Sequence, residues 1–225
     1  MDYTTFKNRF SAVPVILSKD VTERMGEEES RSASGGRQEL RNQLSRWQKR
    51  GLIVKLKKGM YLLNENDRKV NPSKLFVANQ IYTPSYVSLE YALGFYGLIP
   101  ERVVEVTSIT TKKTLRITNP VGRFSYQHVT TSAFRGFKIT KDENGMDVFI
   151  AEPEKGVLDF LYFNLARTSK GDILSPDIFS ESYRFQNVGM LKEKRLLDLA
   201  SIYGNPKLTS IVKLFCKFRK EHAKE

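Results

Sequence analysis

The stretch GGRQELRNQLSRWQKRGLIVKLKKGMYLL, Gly35 to Leu63, decides how the first part of this chain folds. Leu40, Leu44 and Trp47 recur at i, i+4 and i+7, which gives a helix one apolar stripe to bury. Arg37, Gln38, Arg41, Asn42, Ser45 and Gln48 fall on its other faces, a set able to hydrogen-bond phosphates or base edges. Gly51 stands where a left-handed helix stop is expected. Leu52 to Leu56 then alternates, Lys57-Lys58-Gly59 turns, and Met60 to Leu63 returns as a second strand. From Gly35 to Gly59, eight Lys or Arg stand against one acid, Glu39. A helix followed by a basic ribbon is the outline of a winged helix-turn-helix, with one helix for the major groove and a wing for the backbone.

Upstream, Tyr3 to Phe10 sets Tyr3, Phe6 and Phe10 on one side of a short helix. Ser18 is expected to cap a second helix from Lys19 to about Met25, with Val21 and Met25 inward. A polar loop, Glu27 to Gly36, leads into the third helix, Arg37 to Arg50. The order of three helices and a hairpin assigns residues 1–63 to a DNA-binding domain, and the polar run Asn64-Glu65-Asn66-Asp67 opens a linker over 64–71.

Residues 72–225 read as a larger mixed α/β domain with a small β-sheet and C-terminal helices. Pro72 suits the first turn of a helix running to about Gln80, and Ser85 a cap for the next, about Val87 to Tyr96, stopped at Gly97. From Val103 the β-branched residues take over: VVEVTSITT, Thr114 to Thr118, Arg123 to Val129, Phe134 to Thr140 and Met146 to Ile150 read as strands, with turns at Asn119-Pro120 and Asn144-Gly145. Pro153 then opens a helix, Met190 to Tyr203 forms another, and Asn205-Pro206 starts a last one. The fold class is α/β in the α+β sense.

Composition bounds the function. The net charge of +12 on 225 residues fits a nucleic-acid partner or an acidic protein. No apolar run reaches membrane-spanning length, the first residues lack the apolar core of a signal peptide, and one cysteine, Cys216, supports neither a disulfide framework nor a cysteine-rich zinc site. A cytoplasmic protein is the expectation. No active site is legible: His128 and His222 lack metal-site spacing, no nucleophile elbow appears, and Gly94, Gly97 and Gly122 are too isolated to cradle a phosphate. Glu152, Glu154 and Asp159 form an acidic group, but acids in a first helical turn are favoured by the helix dipole alone. No cofactor and no enzymatic activity are therefore expected.

Within the DNA-binding reading, Ser34, Arg37, Gln38, Arg41, Asn42 and Ser45 take the base edges and nearest phosphates, and Lys55, Lys57 and Lys58 hold the backbone. Lys213, Lys217 and Lys220 line one face of the last helix, and Lys112 and Lys113 sit in a turn between strands. Both are candidate surfaces for a partner, set against the plainer reading of solvated lysines.

Five blocks of the second domain stand out: Pro84-Ser85-Tyr86-Val87-Ser88-Leu89-Glu90-Tyr91-Ala92-Leu93, Tyr96-Gly97-Leu98-Ile99-Pro100, Thr107 to Lys113, Pro120 to His128, and Ile150-Ala151-Glu152-Pro153-Glu154-Lys155-Gly156-Val157-Leu158-Asp159. In these blocks and their order the chain resembles the AbiEi antitoxin family. The resemblance implies a bacterial antitoxin of a system linked to phage defence. Its winged helix would bind inverted repeats of its own promoter DNA and repress transcription, as a monomer in solution with two copies on the repeats. Its C-terminal domain would neutralise a cognate AbiEii-like nucleotidyltransferase toxin. The alternative is a ligand-responsive regulator without a toxin, with a pocket near Tyr86, Phe95 and Tyr126.

Overall fold

Asp2 starts the first helix by accepting the Thr5 N–H at 2.9 Å, and α1 (Tyr3–Phe10) turns Phe6 and Phe10 inward. The structure, a computed structural model, describes residues 1–25, 35–165 and 175–222. A strand of two residues, β1 (Ile16–Leu17), precedes α2 (Ser18–Met25), and α3 (Gly35–Lys49) follows. The strand is an addition to the sequence reading, because two residues are too short to show alternation. Helix α2 begins at Ser18 itself, and α3 at Gly35 rather than Arg37. Most of the expected loop at Glu27 to Gly36 lies outside the described residues.

The stop of α3 takes the form its glycine foretold. Gly51 has φ of +70°, its N–H donates to Gln48 O at 3.0 Å, and the Leu52 N–H donates to Trp47 O at 2.9 Å. That pair of bonds satisfies carbonyls the helix leaves open, and the left-handed residue costs least as glycine. The chain reverses into β2 (Ile53–Lys57) and β3 (Met60–Leu63), and β1 joins the far side of β3 to complete a sheet of order β1-β3-β2.

This hairpin is buried on both faces. Ile53 and Leu63 pack with Phe6, Phe10, Leu44 and Trp47 in one core, where the Phe6 and Trp47 rings are 4.8 Å apart. Leu56, Met60 and Leu62 belong to a second core with Leu75, Val77, Ile81 and Tyr86. The expected linker is also tied down. Tyr3 Oη donates to Leu52 O at 3.0 Å and to Asp67 Oδ2 at 2.7 Å, Lys7 pairs with Asp67 at 2.9 Å, and the Lys69 N–H donates to Ser11 O at 2.7 Å.

Ser73, not Pro72, governs the next helix: its hydroxyl accepts the Phe76 N–H at 3.1 Å at the start of α4 (Lys74–Ile81). Ser85, expected as a helix cap, instead starts β4 (Ser85–Val87), and α5 (Leu89–Phe95) begins only after Ser88. All three β4 residues are buried, so no in–out alternation marked them as a strand. The remaining strands fall within three residues of expectation: β5 (Val106–Thr110), β6 (Leu115–Asn119), β7 (Gly122–His128), β8 (Phe137–Lys141) and β9 (Asp147–Ala151). They form one sheet of order β6-β7-β5-β4-β9-β8, with β5–β7 and β4–β9 parallel and the other pairs antiparallel. Helices α6 (Pro153–Leu165), α7 (Glu193–Ile202) and α8 (Pro206–His222) enclose a third core, and Asn205 Oδ1 accepts the Leu208 N–H at 3.0 Å to start α8. The helix expected from Met190 begins three residues later, after a 3-10 turn over Val188–Met190. Among the described residues no helix is long and apolar enough to cross a membrane.

Leu62 is 2% exposed in the wall that the hairpin gives to the second core. Leu62→Ala is expected to cost about 2–5 kcal/mol through lost burial and the cavity left behind. Because the hairpin serves both cores, fluorescence of Trp47, the single tryptophan, and far-UV circular dichroism should report one coincident urea transition in parent and variant. Two separated transitions would show that the halves unfold independently.

Candidate nucleic-acid interface

Helices α2 and α3 and the hairpin enclose an open groove. The half-buried Leu40, the buried Leu44 and Tyr61 give it an apolar base, and Lys19, Arg41, Ser45, Gln48, Lys55 and Lys58 reach it as exposed side chains. Helical spacing explains the row: Arg41, Ser45 and Gln48 follow one another at i, i+4 and i+7 beside the stripe that Leu44 and Trp47 bury. Lys55 arrives from β2, directly opposite Tyr61, and Lys58 from the turn. Among the described residues no ion pair engages Arg41, Lys55 or Lys58. Glu23 is, among the described residues, the one acid lining the groove.

The expected site residues divide. Arg41, Ser45, Lys55 and Lys58 meet in the groove. Gln38 and Asn42 are exposed on α3, where Gln38 Nε2 donates to Asn42 Oδ1 at 3.1 Å. Ser34 lies outside the described residues, and of Arg37 only its place in the first turns of α3 is described.

Lys57 departs from expectation. Alternation alone would set it beside Lys55, but the register shifts between the two: Lys55 pairs with Tyr61 and Lys57 with Met60, leaving Leu56 as an extra residue. This bulge turns Lys57 to the opposite face of the hairpin, where its ammonium donates to Ile81 O. Partial burial, and after it the charge of Lys112, holds its pKa below the ordinary lysine value. It therefore does not line the groove with Lys55 and Lys58.

The other basic candidates are scattered. Lys213 and Lys217 are exposed on α8, whereas Lys220 on the same face pairs with Glu193 at 3.0 Å. Lys112 and Lys113 lie in the β5–β6 loop, next to the hairpin tip rather than near α8. Of the three residues suggested for a ligand pocket, Tyr86 and Tyr126 are fully buried, with hydroxyls donating to Asp159 and to Ala78 O, while Phe95 is 52% exposed. The described residues contain no group of three or more His, Cys, Asp or Glu arranged to hold a metal ion.

A polar network that the sequence reading missed lies behind the sheet. Asp159 and Lys155, i and i+4 on α6, are sealed from solvent and paired at 2.6 Å. Asp159 also accepts the hydroxyls of Ser88 at 2.7 Å, Tyr86 at 3.0 Å and Tyr203, and Lys155 donates to Tyr203 as well. Burial pushes the Lys155 pKa down against the pull of Asp159, and it raises both tyrosines, with Asp159 adding to the effect. The acidic trio seen in the sequence is thus three separate contacts, since Glu152 grips Arg195 at 2.8 and 2.9 Å and Glu154 accepts the Lys192 N–H at 2.9 Å. The Lys-x-x-x-Asp spacing inside an apolar helix was the available signal. With Ser88, Lys155 and Asp159 all inaccessible, this network clamps β4, α6 and α7 together.

No family model and no curated protein matches the chain.

Asp159→Ala is expected to destabilise the protein by about 3–5 kcal/mol in urea denaturation, because it strands a buried lysine. Replacing both partners with apolar residues, Lys155→Met with Asp159→Leu, should recover much of that loss. A double variant as unstable as the single one would mean that the charge pair is not the source of the cost.

Proposed function

We propose that this chain is a DNA-binding repressor that is also an antitoxin. In this reading residues 1–63 act as a winged helix-turn-helix on inverted repeats in the promoter of their own operon. The observation that carries it is the groove between α3 and the hairpin, where Arg41, Ser45, Gln48, Lys55 and Lys58 converge and, among the described residues, no ion pair engages the three cations. A helix offering Arg, Asn and Gln beside a ribbon offering lysines matches what base edges and phosphates require.

The antitoxin half of the proposal rests on the resemblance of residues from about 37 to 162 to the AbiEi family. In it residues 72–225 neutralise an AbiEii-like nucleotidyltransferase toxin, in a phage-defence setting within the cytoplasm. The exposed Lys213 and Lys217 of α8 offer a docking surface for that partner. The protein works as a monomer in solution and as two copies on paired repeats, without cofactor or catalysis of its own.

Arg41→Ala, Lys55→Ala and Lys58→Ala combined should leave the circular dichroism unchanged and weaken binding to promoter DNA. Each lost phosphate contact removes about 0.9 from the slope of log K against log salt, so the triple variant should lose about 3. An unchanged slope and affinity in a salt titration would falsify the groove assignment. Co-expression with the adjacent toxin gene tests the other half: the same triple variant should still restore growth. Cutting the chain at residue 71 is a poor substitute, because it would expose Leu56, Met60 and Leu62.

A further inference from the structure

Two segments of the chain carry positive charge with no acid among it. Between Glu39 and Glu65 there are seven Lys or Arg, and between Glu105 and Asp142 another seven. The fold sets these segments against each other. Asn119 Nδ2, at the end of β6, donates to Leu56 O at 3.1 Å, and Lys57 reaches across to Ile81 O close to Lys112.

Beside that junction lies a shallow cleft lined by Tyr82, Thr111, Lys112, Lys113, Thr114 and His128. Its loop is held in place. Tyr82 Oη donates to Lys113 O at 3.1 Å, and His128 Nδ1 lies 3.0 Å from Lys112 O. The Lys112 ammonium donates to Thr83 O and sits 5.5 Å from the Tyr82 ring centroid. Lys113 is exposed, and no ion pair engages it among the described residues. The hairpin tip stands between the two sites: Lys58 lines the groove, and its neighbour Lys57, on the opposite face, is bonded to Ile81, the residue before Tyr82.

We propose that this cleft is a second backbone-phosphate site for the same DNA duplex that lies in the α3 groove, so that the larger domain grips DNA past the tip of the hairpin. The inference rests on the DNA-binding reading above. Cations and hydroxyls suit phosphate oxygens, and duplex DNA presents a charge about every 1.7 Å along its axis, so a duplex in the groove offers phosphates to a neighbouring site. Among the described residues the large exposed apolar side chains, Phe95, Val104, Ile139, Phe149 and Met190, lie outside the cleft, so what it offers a ligand is chiefly cations and hydroxyls.

The test is a salt titration of the full chain on a random-sequence DNA duplex. Lys112→Ala with Lys113→Ala should lower the salt slope by about 2, and Lys113→Ala alone, which leaves the Lys112 contacts in place, by about 1. Lys55→Ala with Lys58→Ala should lower it by about 2 independently, and all four together by about 4. If the parent protein binds no duplex, the DNA-binding reading fails and this inference with it. If the parent binds and the groove variant loses slope while both loop variants keep it, the second site alone is overturned. Loop variants that keep the DNA slope but no longer hold the nucleotidyltransferase in a pull-down would assign the cleft to a protein partner and equally overturn it.

Discussion

The hairpin of β2 and β3 is a wall with a hydrophobic core on each side, and the rest of the structure depends on it. Ile53 and Leu63 close the core built on Phe6 and Trp47, while Leu56, Met60 and Leu62 enter the core of the six-stranded sheet. Each side chain along β3 is committed to one side or the other, so a register slip of one residue would empty both cores together. Strands buried on both faces read as continuous apolar runs, and Met60 to Leu63 is such a run. The two halves of the chain are thereby joined by packing as well as by covalent connection.

That junction also orders the surface charge. The helix that presents Arg41 and the ribbon that presents Lys55 are held at a fixed angle because Trp47 and Ile53 share one core. On the other side, Asn119 and Lys57 bind the hairpin to the sheet, which brings the β5–β6 loop beside the wing. The buried Asp159 and Lys155 do similar work deeper in the molecule, where the hydroxyls of Tyr86, Ser88 and Tyr203 meet on one carboxylate. In both places a few polar contacts set the alignment of surfaces whose stability comes from apolar burial.

Much of this was legible in the sequence, and the exceptions have a common cause. The helix from Gly35, its stop at Gly51 and the hairpin followed from spacing and from glycine chemistry, as did the strands rich in β-branched residues. Strands β1 and β4 were invisible because two or three residues carry no period, and Ser85 looks like a helix cap when Ser88 holds the position before α5. The groove was legible in outline, since Arg41, Ser45, Lys55 and Lys58 do converge. Lys57 was not, because a bulge is decided by how Leu56 packs against residues far away in the chain. The network around Lys155 and Asp159 escaped for the same reason: spacing could suggest the pair itself, but its partners Tyr86, Ser88 and Tyr203 are brought together only by the fold.

The bulge at Leu56 can also be seen as an exchange. One inserted residue moves a leucine into the sheet's core and carries Lys57 out of the groove at the same stroke. A hairpin shorter by that residue would gain a cation in the groove and lose an anchor to the larger domain. The chain thus sets charge at its basic groove and cohesion between its halves through a single count of residues, and neither can be adjusted there without the other.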